Sequence, residues 1–208
     1  MFLYQIYFNQ ILTLFLIKMK ELTILLFCII AMFVYMNYIR KSLHLSLIES
    51  SIDNQKYLVR NLKDNKEAAN KLAQLSQSLS SLVDSVKSNK KKDGVNRLVD
   101  NFDPLNITEN IPGSMYVAYS VNKGEELSIC LREKDTEKFM DQNTITFVAI
   151  HELAHIMSVD TGHTKEFWDN MKFLLEEASK IGIYTPVDYA NNPVTYCGMT
   201  IDNTPMDL

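Results

Sequence analysis

The sequence predicts an α+β domain carried behind an N-terminal transmembrane helix and a helical stalk. Three observations predict it. One is an uncharged apolar run near the N-terminus, and another is a polar, helix-prone stretch without proline or glycine. The third is a C-terminal part in which period-two and helical patterns mix. With 208 residues the chain has room for one domain plus appendages, not two large domains.

Residues 1–21 form an apolar extension, interrupted by Gln5, Asn9 and Gln10. Residues 2–17 could be the first half of a tight membrane hairpin, or a translated extension upstream of a natural start at Met19-Lys20. From Leu22 to Ile39 the chain runs 18 residues without a charge, flanked by Lys18, Lys20 and Glu21 before and Arg40 and Lys41 after. A helix of that length covers roughly 27 Å, close to the hydrocarbon thickness of a bilayer. Tyr35 and Tyr38 suit an interfacial belt. The partner of this segment is therefore a lipid bilayer, crossed once. No small-residue cleavage site follows, which disfavours a removable signal peptide.

Residues 42–92 read as a helical stalk. Leu72, Leu75, Leu79, Leu82 and Val86 alternate steps of three and four, about two heptads. Such a stripe serves a stalk helix, a helix packed on the following domain, or a short coiled coil joining two copies through residues 58–86. It ends at a charged hinge, Ser88 to Gly94.

Residues 95–208 form the α+β domain. A short helix (Val95–Phe102) precedes the turn at Asp103-Pro104. Strand-like runs Met115–Val121 and Glu126–Arg132 follow, joined by Asn122-Lys123-Gly124-Glu125 as a hairpin. A helix capped near Asn143-Thr144 carries Ile145, Val148 and Ile150 onward, and another runs from about Thr164 to Ile181, stopped by Gly182. The tail is mostly loop, with a strand at Val194–Ile201.

Charge is partitioned along the chain. Residues 40–101 hold 12 Lys/Arg against seven Asp/Glu, whereas residues 102–208 hold seven against 17. The acidic part would repel a polyanion, so no nucleic-acid partner is expected. Three cysteines exclude a disulfide-stapled miniprotein. With Cys28 in the apolar run, Cys130 and Cys197 make at most one bridge, and Cys197 reads as a buried, unpaired structural cysteine. Reduced cysteines and a small excess of positive charge after the span favour a cytosolic domain. Asn106-Ile107-Thr108 fits a glycosylation sequon, relevant only if the domain is lumenal or extracellular.

The chemistry sits in His151-Glu152-Leu153-Ala154-His155. Helix positions i and i+4 share a face, so two imidazoles converge about one turn apart, as two ligands of a tetrahedral zinc require. Glu152 can reach a water at the metal without ligating it, the position of a general base. A catalytic zinc needs a third protein ligand and an open fourth position. His163 is the leading choice, because Gly162 permits a sharp reversal after the helix. Glu176 or Glu177 on the next helix, and Asp160, are the rivals. Three of the four histidines crowd into 13 positions. Asp160, Glu166 and Asp169 could hold an imidazole N–H. Tyr189 and Tyr196 could steady an oxyanion.

These residues resemble the minimal zinc metallopeptidases of the WLM and SprT-like groups. Their signature is HExxH, a short loop, and a histidine followed shortly by an aromatic residue. The resemblance implies a small zincin-like fold, one zinc ion held by His151, His155 and His163, Glu152 as general base, and Phe167 and Trp168 packing the second helix under the site. Tyr196-Cys197-Gly198-Met199 is similar to predicted metallopeptidases of large DNA viruses. The spacing from His155 to His163 misses the metzincin pattern, which would use Thr161. Members of these groups often cleave proteins crosslinked to DNA. The membrane anchor and acidic domain argue against that substrate here. The expectation is a membrane-anchored zinc endopeptidase acting on a protein or peptide. The alternatives are a tethered assembly protein with an inactive site and a metal-dependent amidase for small substrates.

Overall fold

The computed structural model describes residues 2–88 and 92–206. It divides into two units, residues 1–43 and His44–Leu208. The first is essentially one helix, α1 (Phe2–His44). Within it, Lys18–Met36 has a mean hydropathy of 2.0 and buries nothing against the protein. Such a helix is long and apolar enough to cross a bilayer. The helix runs unbroken from Phe2, so residues 2–17 do not turn back as a hairpin: no glycine or proline interrupts them to release the backbone. The Tyr38 side chain and hinge residues 89–91 lie outside the described residues.

The second unit begins with a hairpin where the sequence suggested only helix. Strands β1 (Leu45–Glu49) and β2 (Lys56–Arg60) pair antiparallel, Leu45 opposite Arg60. The turn between them uses Asn54 at φ 59°, a residue that tolerates the left-handed region without being glycine. Helix α2 (Asn65–Lys87) follows, and Leu72, Leu75, Leu79, Leu82 and Val86 are all buried in the unit's own core. This corrects the stalk and the coiled coil through residues 58–86. Of the roles open to the stripe, it fills that of a helix packed on the domain, and its apolar edge is consumed there.

Helix α3 (Val95–Asn101) starts from Gly94 at φ 86°, where a Cβ would meet the Met157 carbonyl oxygen at 2.3 Å. Only glycine fits that contact. The central sheet has three strands in the order β3-β5-β4, comprising β3 (Ile107–Glu109), β4 (Ala118–Val121) and β5 (Glu126–Ile129). β3 runs parallel to β5 and β4 antiparallel to it, leaving β4 at an edge. Helix α4 (Gln142–Met157) has its cap at Asp141, two residues before Asn143, because the Asp141 carboxylate accepts the Thr144 amide at 2.9 Å. Nearly all of α4 is buried, from Thr144 to Ile150 and again at Leu153, Ala154, Ile156 and Met157. It is the central helix of the domain. Helix α5 (Lys165–Lys180) packs against it and stops before Gly182 at φ 77°.

The C-terminal strand is in fact a hairpin, the third after β1–β2 and β4–β5, made of β6 (Val194–Tyr196) and β7 (Met199–Ile201) and turned by Cys197 at φ 50° and Gly198 at φ 91°. Positive φ at both central residues is the turn that matches strand twist. Cys197 is not free. It forms a disulfide with Cys130, 67 residues earlier, which corrects the expectation of unpaired cysteines.

Candidate metal centre

The centre is assembled from α4 and the loop that follows it. His151 and His155 lie one turn apart on α4, with ring centroids 4.9 Å apart. After Met157 the chain leaves the helix in extended geometry at Ser158 and returns at Thr164, the cap of α5. That return brings the His163 Nε2 within 3.1 Å of the His151 Nε2. Ligand nitrogens of the three histidines all lie within 4.8 Å of one another. Tetrahedral zinc with bonds of about 2.0–2.1 Å separates its nitrogens by roughly 3.3 Å, so the donor set fits such an ion. Phe167, fully buried, packs against all three rings at 4.3–4.8 Å and restricts their rotation.

The electrostatics point the same way. Burial, with the neighbouring imidazoles of His155 and His163, lowers the His151 pKa to about 3. Burial, with His163 and Lys123 nearby, lowers His155 to about 4. Both rings are therefore neutral near pH 7, the form that binds metal. Glu152 is 6% exposed, and burial pushes its carboxyl up to about 7 although the Ser120 amide donates to it. A cleft of about 730 Å³ opens over the histidines and Glu152.

The WLM domain model matches residues 52–197. The chain belongs to the WLM family. That family is one of zincin-like proteases. The match begins before β2 and so takes in the segment once expected to be a stalk. Protein R325 of Acanthamoeba polyphaga mimivirus is 33% identical over 183 residues, covering 86% of this chain and 92% of its own. Protein 042R of Invertebrate iridescent virus 3 is 35% identical over 94 residues, 43% of this chain and 58% of its own. The crystal structure of Wss1 from Saccharomyces cerevisiae matches with a TM-score of 0.48 at 20% identity, over 67% of this chain and 95% of that one.

The rival ligands lie elsewhere in this WLM domain. Glu177 pairs with Lys180 late in α5, and neither Glu176 nor Asp160 belongs to the ligand group. The proposed N–H partners are also otherwise engaged: Asp169 pairs with Lys165, and Glu166 accepts from Arg97 at 2.9 Å and from the Val159 amide at 3.1 Å. Tyr189 is buried against Phe147, and the Tyr196 hydroxyl donates to the Cys130 carbonyl at 2.7 Å, so neither aims at the cleft as an oxyanion donor.

A clamp on the ligand loop escaped the sequence reading. The Lys123 ammonium donates to the carbonyls of Ser158, at 2.7 Å, and Val159. Arg97 donates to the Met157 carbonyl at 3.0 Å, and Asn170 to the Ser158 hydroxyl at 3.0 Å. Lys123 and Arg97 answer the orphan carbonyls at the end of α4, and with Asn170 and with Glu166, which accepts the Val159 amide, they set where His163 returns. Its only sequence signal was Lys123 inside a turn that had been read for its asparagine and glycine alone.

Proposed function

We propose that the chain is a membrane-anchored, zinc-dependent endopeptidase, with His151, His155 and His163 as ligands and Glu152 as general base and then general acid. The observation that carries it is the meeting of three imidazoles, those of His151 and His155 held neutral, beside a buried carboxyl on an open cleft. A zinc ion held there supplies a Lewis acid, which brings the pKa of water toward 7 and polarises a carbonyl. Glu152 takes the proton of the attacking water and returns it to the leaving amine, a task suited to a carboxyl whose pKa lies near 7. The nearby Ser120 amide favours the ionised form of the Glu152 carboxyl.

Because the Ser120 amide points away from β5, alternation along β4 puts the backbone of Ala118 on the same outer edge. That edge is suited to hold an extended peptide by strand addition. The reading of an inactive assembly module is disfavoured. A closed structural zinc takes four protein ligands, and the group among the described residues offers three. A buried Glu152 would also have no purpose there. The acidic balance of residues 102–208 argues against a nucleic-acid substrate.

Lys18–Met36 serves as the anchor, in contact with lipid. Lys18 and Lys20 balance Arg40 and Lys41 on either side of the uncharged run 22–39, and Lys56 and Arg60 beyond it lean the count to a cytosolic domain. The Cys130–Cys197 bridge favours an oxidising compartment, and a covalent link outweighs a near-balanced charge count. Asn106 of the sequon is exposed and able to report this. Microsomal synthesis should yield a glycan that Asn106→Gln removes. An unmodified domain open to added protease would assign it to the cytosol.

The catalytic test is Glu152→Gln. The variant should keep one zinc per chain while hydrolysis of a peptide library falls by about 10²–10⁴-fold. Full activity in that variant would remove Glu152 from the mechanism.

A further inference from the structure

The cleft has a wall that the chemistry does not use. Hairpin β6–β7 contributes Met199 and Ile201 to its lining, two residues that strand alternation puts on one face. Phe147 and Met171 add buried apolar surface from α4 and α5. At the rim stand Tyr116, Trp168 and Met199, 62%, 43% and 47% exposed. Large apolar side chains left in water around one cleft mark a surface that is covered by something else. The charged groups in the lining are few. Glu152 and the histidines form the centre, Lys123 is bonded to the end of α4, and Asp202 follows β7.

The wall is also held in place before any ligand arrives. Cys197 in the hairpin turn is bridged to Cys130, and Tyr196 beside it donates to the Cys130 carbonyl at 2.7 Å. Cys130 in turn bonds through its amide to the Val117 carbonyl at 3.1 Å, just before β4. One covalent link and two hydrogen bonds thus tie the hairpin to the edge strand that faces Glu152. A pocket fixed in this way selects by shape, because little ordering remains to be done on binding.

Resting on the peptidase reading, we propose that the β6–β7 hairpin is the specificity wall of the cleft. With Phe147, Met171 and Trp168 it selects a bulky aliphatic or aromatic side chain in an extended polypeptide. Acidic side chains are rejected, because they would be desolvated among methionines and aromatics with no cationic side chain on that wall to meet them.

Trp168 is the chain's single tryptophan and lies in the lining, so its emission reads occupancy directly. The test uses the full chain in detergent micelles, zinc-loaded, with Glu152→Gln to prevent turnover. Blocked hexapeptides carrying Leu, Phe, Ala, Glu or Lys at each position in turn are titrated against Trp168 emission. At one position Phe and Leu should bind at least tenfold tighter than Glu. Adding Met199→Glu, at an exposed position that tolerates substitution, should erase that advantage and strengthen binding of the Lys peptide. Equal affinities at every position, or a preference that Met199→Glu leaves untouched, would overturn the proposal. The same peptides offered to the unsubstituted chain separate the two readings. Selective binding without hydrolysis sinks the peptidase and keeps the wall, whereas hydrolysis without selectivity does the reverse.

Discussion

Two buried polar clusters lie within this one domain, and they treat charge in opposite ways. Around Arg132, itself 2% exposed, charges of opposite sign meet, although its Nη2 has no hydrogen-bond partner and burial still raises the Glu109 carboxyl. Its Nε donates to Glu109 at 2.8 Å and its Nη1 to Asp64 at 2.6 Å, and the guanidinium stacks over Phe139 at 4.1 Å. Glu109 also accepts the Arg60 amide at 2.7 Å. The hydrogen bond from Arg132 holds the Asp64 carboxyl below the usual range. Around His151, by contrast, no acid among the described residues pairs with the imidazoles, and Glu152 has one amide for company. A closed network of this kind positions chain segments. An open one, with titrations displaced toward neutrality on a cleft, waits for an ion and a reactant.

The strongest challenge to that contrast is His163→Ala. With one of three ligands gone, zinc affinity should fall by more than 100-fold, since loss of an outer partner alone costs 10–100-fold. Hydrolysis should vanish with the metal. Zinc content by atomic absorption decides it, and an unchanged stoichiometry would return Glu176 or Glu177 to consideration.

Arg132→Met tests the other side. Removing one member of a buried ion pair leaves Glu109, 1% exposed, without a counter-charge and should cost about 3–5 kcal/mol in urea unfolding. Replacing Glu109 as well, by Met, should restore much of that loss, because no lone charge remains. A cost below about 1 kcal/mol for the single variant would mean that the network is no more than surface pairing.

The difference also explains what the sequence made legible. The metal centre was readable because its parts are local. The i and i+4 spacing of His151 and His155 is a property of any helix, and Gly162-His163 follows within one turn and a loop. Its clamp was not, because Arg97, Lys123 and Glu166 meet only after three distant segments are packed. Likewise, the leucine stripe of α2 has the same period whether it faces a second copy or its own domain. Periodicity names a buried face and not its partner. The β1–β2 hairpin stayed hidden because Asn54, not glycine, makes its turn. Composition left Cys130 and Cys197 as the one pair able to bridge, but that they do so was not legible, since meeting across 67 residues is a tertiary fact.

A smaller effect probes the open cluster without any catalysis. In zinc-free protein, burial raises the Glu152 pKa from 4.5 to about 7. A carboxyl raised on folding stabilises the native state below its unfolded value and loses that contribution as pH rises through its folded value. At pH 8 the buried carboxylate should therefore cost about 3 kcal/mol, from roughly 1.4 kcal/mol per pH unit. Zinc-free Glu152→Gln should then be more stable than the unsubstituted chain at pH 8, with the gap closing as pH falls through 7 and gone near 4.5. Protonation of His151 and His155 below their ordinary 6.5 destabilises both proteins alike, since both rings are held neutral in the fold, and so cancels in the difference. Urea unfolding of the two metal-free proteins across pH 4.5–8 measures the gap. A constant difference over that range would mean that Glu152 is solvated in the folded domain, and the contrast with the answered charge of Glu109 would disappear.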